Sequence, residues 1–155
     1  MKLRRTFPRA AMAGSLAAGG LEGQSVLDQV VADWNRAGAT WDATAIAAIY
    51  TQDGLLFGGR PGHFVGREAI RGYFASYEGV ILAGSMQISG TEFRTLAQGC
   101  VLVQGMVDFA FTLAGNEQTS STLRATLVLR READRWRIAD HHFSPVPAVP
   151  PLGKD

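Results

Sequence analysis

Over residues 121–143 the chain alternates apolar and polar side chains and reverses once, at Glu132-Ala133-Asp134. A period of two over that length describes extended strands, because the same residues on a helix would scatter around its circumference. The tight turn joins the two strands as a hairpin, one face of which needs a cover. The upstream sequence supplies one with helical period: Val26, Leu27, Val30, Val31 and Trp34 recur on a single face. Ser25 and Asp28 before them have capping-box spacing. Thr40 or Asp42 caps a second helix over residues 42–50, whose Ile46, Ile49 and Tyr50 share a face until Asp53-Gly54 turns the chain. Short strands at 55–57 and 63–65 flank a glycine-rich loop, and a third helix runs from Arg67 to about Tyr77.

From Ile81 onward the period is two. Residues 81–96 form an irregular strand or a pair of strands, interrupted at Ser89-Gly90. Val101, Val103, Val107, Phe109, Phe111 and Leu113 alternate along the next. Helices segregated to one side of an antiparallel sheet make an α+β domain, expected over residues 23–145. Residues 146–155 are a proline-rich tail that cannot extend a sheet. Residues 1–22 are a flexible tail or an export signal: Lys2, Arg4, Arg5 and Arg9 precede an Ala-rich stretch, and Arg4-Arg5-Thr6-Phe7 has a twin-arginine look. A cytoplasmic protein is the expectation, export the alternative.

Composition narrows the function classes. Of 155 residues, 46% are hydrophobic and 19% charged, enough for one domain with a real core. A net charge of +1 without a basic stripe argues against a nucleic-acid partner. No apolar run approaches the roughly 20 residues that span a bilayer, so no membrane partner is expected. The single cysteine, Cys100, leaves no internal disulfide and no thiolate metal cluster.

The segments VLDQVVADWNRAGATWDATAIAAIYTQDG, FVGREAIRGYF and RATLVLRREADRWRIADHHFS, spanning about residues 25–144, resemble the SnoaL-like and SgcJ/EcaC branches of the NTF2-like superfamily. The resemblance implies a cone: three N-terminal helices packed on a strongly curved antiparallel sheet around a hydrophobic pocket, with a homodimer built on the outer sheet face. It implies a hydrophobic small-molecule ligand, such as a polyketide-type intermediate. The chemistry expected is cofactor-free isomerisation, cyclisation or dehydration, with a non-catalytic binding or assembly module as the alternative. Ketosteroid isomerase, in the same superfamily, uses a tyrosine, a base aspartate and an oxyanion aspartic acid; these fall at Trp34, Gly58 and Thr126 here, so its mechanism is not carried over.

Alternation puts Arg124, Thr126 and Val128 toward the pocket on one strand, and Ala139, His141 and Phe143 on its neighbour. His141 is the candidate proton-transfer group, titrating near neutral pH, and Arg124 the candidate for stabilising negative charge. Tyr73, at a helix position that lines the pocket in relatives, and Asp53, near its mouth, complete the catalytic candidates. Trp34, Tyr50, Phe57, Phe109, Phe111, Thr126 and Phe143 are the candidate ligand-binding residues. Ile138, alternating with the pocket set, is expected on the dimer face. His141 and His142 diverge from a strand and no metal-ligand spacing occurs, so no metal is expected. The loop Gly58-Gly59-Arg60-Pro61-Gly62 matches no nucleotide-phosphate motif, and no cofactor is expected.

Overall fold

The computed structural model describes residues 10–153. Helix α1 (Ala10–Gly38) and the short α2 (Ala43–Ala47) come first, followed by β1 (Tyr50–Phe57), β2 (Phe64–Val65) and α3 (Arg67–Ala75). The strands β3 (Ile81–Ala97), β4 (Cys100–Leu113), β5 (Gln118–Glu132) and β6 (Arg135–Pro145) complete the chain. The basic segment carrying Arg4 and Arg5 lies outside the described residues. No helix among the described residues is long and apolar enough to cross a membrane.

The apolar stripe of α1 is the one its spacing predicts: Val26, Leu27, Val30 and Trp34 are buried and Val31 partly so. Ser25 caps nothing, because the helix already runs through it. Asp42 does cap α2, its Oδ1 accepting from the Ala45 N–H at 2.8 Å. The helix stops at Ala47, and Tyr50 opens β1 rather than ending a helix. Asp53-Gly54 marks an irregularity inside β1, not a turn between elements: four residues between Tyr50 and Leu55 stand opposite the single residue between Ile138 and Asp140 on β6.

The six strands form one sheet in the order β2-β1-β6-β5-β4-β3. It is mixed, since β1 runs parallel to β6 while the other pairs are antiparallel. This α+β sheet curves, with irregularities in β3 at residues 81–83, 89–92 and 95–97 that re-aim the strand. The middle one falls at the Ser89-Gly90 break, where Gly90 takes φ of 60°. Strand β3 is an edge, and Asn35 of α1 covers part of it. Its side-chain amide donates to the Met86 carbonyl (3.0 Å) and accepts from the Met86 N–H (2.7 Å), as another strand would. Among the described residues, 146–153 continue beyond β6 without regular structure and are exposed.

Candidate ligand cavity

The concave face of the sheet, helices α1 and α3 and the loop residue Trp41 enclose a cavity of about 180 Å³ that opens to solvent. Trp34 of α1 forms its floor with Trp41, Tyr73 and Phe74. Trp41 sits at φ 48°, a strained setting for a bulky residue, held by burial of its ring and by its indole N–H donating to the Phe74 carbonyl at 3.1 Å. Phe109 and Phe111 alternate inward from β4 and stack on each other at 5.6 Å, and Phe143 meets Phe109 at 5.3 Å. Sequence periodicity identifies these aromatics. Trp41, Phe74, Tyr77, Ile81, Ser121 and Leu123 also line the cavity; Leu123 is readable only once the β5–β6 register is known.

His141 is the polar centre of this apolar wall. It is 1% exposed, and its Nδ1 lies 2.9 Å from the Tyr50 hydroxyl. Its Nε2 is buried without a hydrogen-bond partner. Burial, and secondarily the neighbouring His142, push its pKa down to about 3. The imidazole is therefore neutral at neutral pH, which corrects the expectation that it titrates in that range. Tyr50 is wholly buried behind the histidine, so it supports the wall and does not line the cavity. Its main-chain carbonyl is gripped by the Arg67 guanidinium through Nε (3.0 Å) and Nη2 (2.7 Å). The Tyr73 hydroxyl accepts from the Gly59 N–H at 2.9 Å, and burial raises its pKa.

Four expected site residues lie elsewhere. Leu127 pairs with His141 and Ala125 with Phe143, and directly paired residues share a face, so the inward set on β5 is Leu123, Ala125, Leu127 and Leu129. Arg124 and Thr126 therefore point to the outer face: Arg124 donates to Ser144 at 3.2 Å, and Thr126 accepts from Gln104. Ala139 is an extra residue on β6, which lets Ile138 and His141 both face inward. Ile138 is thus fully buried in the core and unavailable to a dimer face. Asp53 is an exposed partner of Arg130 at 2.6 Å, an ion pair that lowers its pKa to about 2. Phe57 is 45% exposed and stacks on His63 outside the cavity.

The profile of the SnoaL-like domain matches residues 27–149, most of the chain and all of the cavity wall. The chain belongs to the SnoaL-like family. No curated protein matches its sequence. A crystal structure of a candidate calcium/calmodulin-dependent protein kinase II association domain from Xanthomonas campestris is 26% identical, with a TM-score of 0.70 over 83% of this chain and 88% of that one. A candidate scytalone dehydratase from Novosphingobium aromaticivorans shares the fold at 13% identity (TM-score 0.67, 90% and 99% covered). So does a ketosteroid isomerase-like protein from Erwinia carotovora atroseptica at 21% (TM-score 0.62, 79% and 95% covered).

In this SnoaL-like protein a Cβ on Gly58 would stand 2.4 Å from the Tyr73 hydroxyl oxygen, so any side chain there would have to displace the phenol. Among the described residues, no carboxylate lines the SnoaL-like cavity and no cluster of His, Cys, Asp or Glu is arranged to hold a metal ion.

Proposed function

We propose that this SnoaL-like protein binds a small, mainly apolar, oxygen-bearing molecule in the aromatic cavity and acts on it as a cofactor-free isomerase or dehydratase. The observation that carries this reading is the unpartnered Nε2 of a buried histidine in a wall built mainly of aromatic rings. An empty hydrogen-bonding position in such a wall orients a ligand by one oxygen. His141 and Tyr73 are the groups that touch it; Arg124 and Asp53 have no part. The cavity slightly exceeds the roughly 150 Å³ that accepts benzene, so it takes a single ring, and a larger polyketide-type substrate, including one to be cyclised, extends through the mouth. The dehydratase and isomerase-like names of two structural neighbours agree with this chemistry.

A non-catalytic binding module is favoured by one observation: the lining lacks a carboxylate, and His141 takes up a proton only near pH 3. Incubation with single-ring ketones in D₂O, followed by NMR, separates the two. Catalysis predicts accelerated exchange of the protons beside the carbonyl, taken up by solvent water at the cavity mouth while His141 stabilises the charge developing on the carbonyl oxygen, and abolished in His141→Leu. Binding without exchange throughout the panel selects the module, and no binding at all overturns both. The homodimer implied by the family resemblance is assigned in this proposal to the outer face around Met106, Val128 and His142. Sedimentation at micromolar concentration showing only a 16.6 kDa species would remove it.

A further inference from the structure

The direction of the hydrogen bond between Tyr50 and His141 follows from what surrounds it. The Tyr50 hydroxyl is fully buried, and among the described residues Nδ1 of His141 is its one hydrogen-bond partner, at 2.9 Å. Two arrangements satisfy that contact. If Nδ1 carries the proton and donates, both the phenol O–H and the Nε2 lone pair are left without partners, whereas a donating phenol leaves only the Nε2–H unpaired. The imidazole then keeps its proton on Nε2, the atom left unpaired in the cavity wall.

We propose that Tyr50 locks His141 with its proton on Nε2, so that the cavity presents a fixed hydrogen-bond donor and selects ligands whose buried oxygen is a carbonyl-type acceptor. This rests on the reading of the cavity as a ligand site. Tyr73 lines the same cavity, its hydroxyl oxygen accepting from the Gly59 N–H. A neutral donor in an apolar wall stabilises charge developing on a carbonyl oxygen without bringing in a buried cation. Tyr50 acts through His141 and is a positioning residue, and Arg67 holds the Tyr50 backbone in register.

The proton's position is read on the ligand-free wild type by ¹H–¹⁵N NMR of protein labelled at histidine nitrogen. His141 is expected as the Nε2–H tautomer at pH 7 and still at pH 5. A proton on Nδ1, a tautomer mixture or an imidazolium at pH 7 overturns the proposal. Tyr50→Phe should release the lock and shift the His141 signals toward a mixture. The selectivity is read with acetophenone and α-methylstyrene, which differ by C=O against C=CH₂. The ratio of their affinities should fall by about threefold to tenfold in His141→Leu, and in the same direction in Tyr50→Phe. An unchanged ratio overturns the donor assignment while leaving the cavity as a binding site. If neither compound binds, the cavity reading fails and the tautomer measurement alone decides the hydrogen-bond direction.

Discussion

Burial keeps the His141 imidazole neutral, and that has a thermodynamic signature. Its pKa is about 3 in the folded protein against 6.5 in the unfolded chain. Between those values the unfolded chain holds a proton that the folded one rejects. This contribution is therefore complete above about pH 6.5 and is lost progressively as pH falls toward 3, by up to about 1.4 kcal/mol per pH unit. Asp53, held down to about 2 by Arg130, acts in the same sense but only below about pH 4. Thermal melts between pH 7 and 4.5 isolate the histidine: the wild type should lose stability on acidification, and His141→Leu should flatten that slope. Arg124 gives the contrasting case. It lies on the outer face, so Arg124→Met should leave acetophenone affinity in the cavity unchanged, and a weakened titration would place the arginine nearer the ligand than Ser144 allows. Parity along β6 was enough to aim His141 and Phe143 inward from sequence. Carrying it to β5 required the pairing register, which no single strand encodes, and the extra residue at Ala139 moved Ile138 to the inner face.

Among the elements, the join between α1 and β3 concentrates polar contacts in one side chain. Asn35 supplies both a donor and an acceptor to Met86 and so replaces a missing neighbour strand at the sheet edge. Asn35→Ala removes both and leaves the Met86 amide N–H and carbonyl without this partner; the expected cost is about 1–3 kcal/mol in urea unfolding, at unchanged m-value. A loss below a few tenths would mean that water takes over the edge. The elements themselves were largely legible: the buried stripe of α1, the alternation of β4, the last hairpin and the break at Ser89-Gly90 all follow from periodicity and turn chemistry. Asp53-Gly54 signals the jog inside β1 without saying what kind it is, because a turn-favouring pair looks the same in a bulge as between elements. Tyr50's place behind His141 was hidden for a different reason. It depends on a parallel pairing, and the local sequence carries no mark of one.

For the whole molecule, the sheet order sets when the cavity can exist. Strand β1 is made early in the chain, yet its long neighbour is β6, and the Tyr50–His141 contact joins residues 91 apart. Loops of that length close late, after the β3–β4 and β4–β5 hairpins have had the chance to form from local contacts. If the contact forms after the rate-limiting step, Tyr50→Phe should accelerate unfolding while leaving the folding rate nearly unchanged, as stopped-flow measurements in urea would read. A slowed folding limb would instead place β1 in the nucleus. During synthesis the same geometry makes a nascent chain without its last twenty or so residues a layer of helices over an incomplete wall, with Trp34, Tyr50 and Phe109 still uncovered on one side. The histidine that completes the wall comes from β6, so the cavity is enclosed only once that strand has been made and paired.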